Sequence, residues 1–222
     1  MTQIKLCGLS RPQDIATANA LRPDYIGFVF AKASRRYVAP ETAAKLRALL
    51  DPGIRAVGVF VNETPEQVAA LLSEGVIDIA QLHGAEDEAY IRRLRQLTDK
   101  PVIKAFRLGT ADGAAERARK VLSEAMASSA DMVLLDSGAG TGMVLNWEFL
   151  KGFPREYFLA GGLTPENVGE AVFMLRPAAV DVSSGIETDG VKDAAKMQRF
   201  VAAVREAEAV GFGKCTEKGR GR

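Results

Sequence analysis

Histidine, tryptophan and cysteine are nearly missing from this chain: one His, one Trp and two Cys among 222 residues. A single histidine, His83, cannot build the usual histidine-containing metal cluster, so no metal is expected. Two cysteines, Cys7 and Cys215, suggest no disulfide framework and fit a reducing cytoplasm. No apolar run approaches the roughly 20 residues of a membrane span, and Met1-Thr2-Gln3-Ile4-Lys5 enters a strand pattern with no signal-peptide character. Neither charge sign is in excess: 29 basic and 28 acidic residues leave a net +1. That balance speaks against a nucleic-acid or membrane-surface partner.

What is present is alternation. Short β-branched runs at 3–6, 25–30, 56–61, 77–82, 102–106, 132–135, 157–160 and 179–182 predict strands. Helical patterns follow each of them, at 12–21, 40–50, 65–73, 87–97, 111–126, 147–150, 165–175 and 192–209. Thr64-Pro65-Glu66-Gln67 and Thr164-Pro165-Glu166-Asn167 place a cap, a first-turn proline and an acid at two helix starts. Nearly continuous apolar strands such as Val57-Gly58-Val59-Phe60-Val61 suit a parallel sheet covered by helices. Eight such units in this length predict a single-domain α/β structure, a closed parallel (β/α)8 TIM barrel over residues 1–210. The Gly-, Lys- and Arg-rich residues 211–222 read as a disordered basic tail that contains Cys215. Trp147 is expected to pack the short sixth helix against the barrel.

Two glycine turns follow strands 7 and 8: Gly161-Gly162-Leu163-Thr164 and Ser183-Ser184-Gly185-Ile186-Glu187. Small residues at a strand end, with a helix pattern behind them, let backbone N–H groups approach an anion. Gly161, Gly162, Ser183, Ser184 and Gly185 are therefore the expected phosphate site, where this fold commonly places one.

Chemistry is expected at the C-terminal strand ends. Cys7 ends strand 1, His83 strand 4 and Asp136 strand 6, while Arg36 lies in the loop after strand 2. Period-2 alternation turns Ile4 and Leu6 toward the helices and Lys5 and Cys7 toward the axis. A lysine inside a barrel needs an anion, and Asp181 is a candidate partner. A thiol is a useful base only as thiolate, so a neighbouring cation such as Lys5 should help Cys7.

Taken in order, Lys5-Leu6-Cys7-Gly8, Gly27-Phe28-Val29-Phe30 with Ser34-Arg35-Arg36-Tyr37, Gln81-Leu82-His83-Gly84, Leu134-Leu135-Asp136, Ala160-Gly161-Gly162-Leu163 and Asp181-Val182-Ser183-Ser184-Gly185 resemble the phosphoribosylanthranilate isomerase family of tryptophan biosynthesis. The resemblance implies a cofactor-free Amadori rearrangement of a phosphorylated aminosugar, N-(5-phosphoribosyl)anthranilate. It implies Cys7 as general base, Asp136 as general acid, and Arg36 on the anthranilate carboxylate. Arg36, His83, Lys5 and Asp181 are the expected substrate-binding residues. Arg35 stands where the family commonly has proline, Ala139 where glycine is frequent and Asn146 where aspartate is usual. A related isomerase of the histidine pathway would be expected to carry aspartate at the Cys7 position. A barrel that merely binds phosphate would need neither Cys7 nor Asp136. The sequence leaves monomer and homodimer both open.

Overall fold

The computed structural model describes residues 1–109, 114–136 and 147–217. Eight parallel strands close into a barrel in chain order: β1 (Gln3–Cys7), β2 (Tyr25–Val29), β3 (Arg55–Phe60), β4 (Ile79–Leu82), β5 (Val102–Arg107), β6 (Met132–Asp136), β7 (Tyr157–Ala160) and β8 (Ala179–Val182). The ring is sealed by β1 on β8, with Lys5 in register with Asp181. The connecting helices are α1 (Pro12–Leu21), α2 (Pro40–Arg47), α3 (Pro65–Ser73), α4 (Glu88–Arg95), α5 (Ala114–Ala127) and α6 (Val168–Leu175), with α7 (Ala194–Glu217) closing the chain. A 3-10 turn, Trp147–Leu150, stands where a sixth crossover helix would be, and its buried Trp147 packs into the outer core.

Strand alternation divides the interior into two cores. Ile4, Leu6, Ile26 and Phe28 point outward to the helices. Tyr25, Val57, Ile79, Ile103, Leu134 and Phe158 fill the axis. Burying each such side chain stabilises the fold by about 1.5–3 kcal/mol. Cys7, Val29 and Val59 form the uppermost layer, beneath the mouth.

The lower rim repeats one device. Asp24, Asp78 and Asp131 each stand just before an even-numbered strand. Each accepts a backbone N–H from the strand before it: Ile4 at 2.8 Å, Ala56 at 2.8 Å and Val102 at 2.7 Å. These bonds satisfy donors at the sheet's open lower edge.

Several expected boundaries move. Ile77 is buried ahead of β4, in the turn that leads into it. Thr64 caps α3 as expected, with its hydroxyl accepting from Gln67 N–H. The matching Thr164-Pro165-Glu166-Asn167 instead forms a turn, in which the Asn167 side chain accepts from Thr164 N–H, and α6 starts at Val168. Lys192, expected to open the last helix, sits in a two-stranded hairpin, β9 (Glu187–Thr188) with β10 (Val191–Lys192). Asp189 and Gly190 form its turn with φ of 50° and 78°, the left-handed pair that a tight hairpin needs. The backbone is helical as far as Glu217, whereas the sequence suggests a tail from Gly211.

Candidate active site

A cavity of about 490 Å³ opens at the C-terminal ends of the strands. Cys7, Asp136, His83 and Arg36 all line it, from four different βα units, together with Asp181. Gly161, Gly162, Ser183 and Ser184 line its other side. The volume lies within the 300–1,000 Å³ typical of small-molecule sites. Gly185 does not line it. A Cβ there would fall 1.9 Å from the Leu163 carbonyl oxygen, so glycine is what lets the two turns touch. Behind Ser183 comes a 3-10 turn, Ser184–Ile186, in place of the expected helix. The leading N–H groups of such a turn have no partner within it, and Ser183 does not cap them with its side chain.

Cys7 and Lys5 point inward as the alternation requires, and both are buried. The Lys5 ammonium donates to both carboxylate oxygens of Asp181 at 3.0 Å. Burial works against its charge, but Asp181 and then Cys7 outweigh burial and raise the ammonium's pKa. Burial also pushes the Cys7 thiol up, and Lys5 and Lys192 only partly oppose this. Burial therefore favours the protonated sulfur. Lys5 is among the expected substrate-binding residues. Its side chain is wholly buried, it does not line the cavity, and its charge is committed to Asp181.

Asp136 ends β6 and accepts from His83, with Nε2 and Oδ2 3.2 Å apart. On its other side the His83 ring meets the Gln81 amide, Nδ1 to Nε2, at 3.0 Å. With the amide nitrogen donating, the imidazole proton sits on Nε2 and points at the carboxylate. Gln81 is buried, and its Oε1 has no hydrogen-bond partner among the described residues. The glycine-rich stretch after Asp136, 137–146, lies outside the described residues.

Arg36 is not the solvated loop arginine that its place in a surface pair suggests. Its Nε and Nη2 donate to Glu187 at 2.6 and 2.8 Å. Lys192 and Arg35 donate to the same carboxylate, each at 2.7 Å. Burial alone would raise the Glu187 pKa, but the bonds from Arg36 and Lys192 outweigh it and bring it down to about 2.

The chain as a whole matches a known family. The model of N-(5'-phosphoribosyl)anthranilate (PRA) isomerase fits residues 4–203. The chain belongs to the phosphoribosylanthranilate isomerase family. An isomerase of that name from Endomicrobium trichonymphae is 43% identical over 210 residues, covering 92% of this chain and 99% of its own. The crystal structure of the family member from Thermotoga maritima superposes with a TM-score of 0.81 at 33% identity, covering 93% of this chain and all of that one. Another crystal structure of the isomerase, in complex with reduced 1-(o-carboxyphenylamino)-1-deoxyribulose 5-phosphate, gives a TM-score of 0.78 at 32% identity, with coverage of 93% and 100%.

Within this family frame, four cavity or rim residues escape a sequence reading: Gln81, Arg107, Glu187 and Lys192. Gln81 shares the inward phase of His83 two residues later. Asp189-Gly190 is the signal that would have exposed the hairpin, and with it the pairing of Glu187 with Lys192. Arg107 ends β5 beside Asp136, in register with it. Among the described residues no group of three or more His, Cys, Asp or Glu is placed to hold a metal.

Proposed function

We propose that this chain converts N-(5-phosphoribosyl)anthranilate into 1-(2-carboxyphenylamino)-1-deoxyribulose 5-phosphate, in the cytoplasm, with Cys7 as base and Asp136 as acid. The observation that carries the reading is that a thiol, a carboxyl, an arginine and two glycine turns from separate βα units share one cavity. Family membership supplies the reaction class, and the complex of a relative with a reduced form of that product agrees with the choice of substrate.

The chemistry assigns each group a proton. Asp136 gives one to the furanose oxygen as the C1′–O bond breaks, leaving an open-chain Schiff base. Cys7 takes the C2′ proton, and the resulting enamine tautomerises to the ketone. Donor and acceptor act on different atoms, so they must come from different strands; each contributes about 10²–10⁴-fold. His83 orients the Asp136 carboxyl through its Nε2–H. The buried thiol must reach its thiolate before it can act, and Lys5 and Lys192 are the cations that ease this. Arg36 receives the anthranilate carboxylate, and the Gly161–Gly162 and Ser183–Ser184 turns receive the phosphate.

Complementation tests the reading. The wild-type chain should restore growth of a tryptophan auxotroph lacking this step, and Cys7→Ala should not. Rescue of a histidine auxotroph alone would assign the related aminoaldose reaction instead.

A further inference from the structure

Glu187 is the most heavily bonded side chain at the rim, and the chemistry just proposed gives it no part. Its two oxygens accept four hydrogen bonds: from Arg36 Nε and Lys192 Nζ on Oε1, and from Arg36 Nη2 and Arg35 Nη2 on Oε2. A carboxylate offers about four lone-pair sites, so its capacity is full. Three cations share this one anion, and the cluster keeps a surplus of positive charge beside the cavity that Arg36 lines.

The geometry at Arg36 is selective. A guanidinium has five N–H donors arranged along distinct edges. Glu187 takes the Nε–Nη2 edge of Arg36, and among the described residues Nη1 makes no hydrogen bond. The Nη1–Nη2 edge therefore remains as a fork for a second carboxylate. Lys192 ties the other end of the assembly down. Its ammonium donates to the Ser183 carbonyl at 2.8 Å and lies 3.3 Å from the Ser183 hydroxyl. That hydroxyl in turn donates to the Cys7 carbonyl at 3.2 Å. The β9–β10 hairpin sets Lys192 directly opposite Glu187. One hydrogen-bonded chain, Arg36–Glu187–Lys192–Ser183, thus runs from the free guanidinium fork to the glycine turn after β8.

We infer that Glu187 is a positioning residue: anchored by Lys192 to the turn after β8, it grips Arg36 along one edge, aims the other at the substrate's aromatic carboxylate, and so sets where Arg36 stands relative to the phosphate subsite. The inference rests on the proposed role of Arg36. It makes the hairpin a gauge that favours substrates carrying two anions at one separation.

The test is a double-mutant cycle with phosphoribosylanthranilate as substrate. Glu187→Gln keeps the shape but turns one charged acceptor into an amide NH2 that faces the guanidinium, so KM should rise roughly tenfold with kcat little changed. Arg36→Met should raise KM at least as much. The double variant should match Arg36→Met alone, because Glu187 acts only through Arg36. Inorganic phosphate should raise the melting temperature of Glu187→Gln as much as that of the wild type, showing a folded barrel with working glycine turns. If Glu187→Gln does not fold, Glu187→Asp, which keeps the charge but withdraws the grip, enters the same cycle. An unchanged KM in the Glu187 variant, or penalties that multiply in the double variant, would overturn the inference while leaving Arg36 as the clamp. An unchanged KM in Arg36→Met would instead remove the clamp itself, and the inference with it.

Discussion

The two ends of this barrel use carboxylates for opposite purposes. At the lower rim Asp24, Asp78 and Asp131 each close a backbone N–H in one repeated geometry. At the upper rim no geometry repeats. Asp136 meets an imidazole, Asp181 neutralises a buried lysine, and Glu187 collects two arginines and a lysine. The lower end answers the sheet's own hydrogen-bonding needs. The upper end keeps polar groups that the fold does not require, including an amide oxygen on Gln81 with no partner among the described residues. Conserving energy at one end and chemistry at the other is how this architecture separates stability from function.

The comparison breaks if upper-rim changes unfold the protein or lower-rim changes stop turnover. The largest effect belongs to Asp136→Asn, which should cut kcat by about 10²–10⁴-fold with the melting temperature held, in a steady-state assay beside a thermal melt. Lys5→Met probes the seam between the two ends. It strands the Asp181 carboxylate beneath the mouth and should cost about 3–5 kcal/mol, read by denaturant unfolding. A smaller loss of about 1–3 kcal/mol is expected for Asp78→Ala, which leaves the buried Ala56 N–H without its acceptor; kcat should not change.

The remaining effect is in pH. Glu187 titrates near 2 in the folded chain against an ordinary 4.5, so folding favours its ionised form. Its stabilisation is complete above pH 4.5 and is lost as pH falls toward 2. The stability gap between wild type and Glu187→Gln should narrow across that window, and a gap independent of pH would contradict the ion cluster.

Much of this was legible in the residues. Short β-branched runs located all eight strands, and nearly continuous apolar ones such as Val57–Val61 pointed to a sheet covered on both faces. Alternation placed Lys5 and Cys7 inside and made Asp181 a candidate partner for Lys5, and the two do pair. Order along the chain put Cys7 and Asp136 at one mouth. The Arg36–Glu187 pairing was not legible, since its partners lie 151 positions apart and meet only when the barrel closes. The hairpin was missed because Val191-Lys192 continues without a break into an amphipathic helix, and helical periodicity overrode the Asp189-Gly190 turn. The ionisation of Cys7 depended on burial, which composition does not report. Lys5 favours the Cys7 thiolate as expected, but burial of the sulfur outweighs it, and Asp181 works against it as well.

The most direct measurement is kcat of purified Cys7→Ala on phosphoribosylanthranilate, with its fold checked by a melt. Loss of turnover by about 10²–10⁴-fold at a wild-type melting temperature is the predicted result. A variant that turns over at the wild-type rate would show that the sulfur at the mouth takes no proton from the sugar.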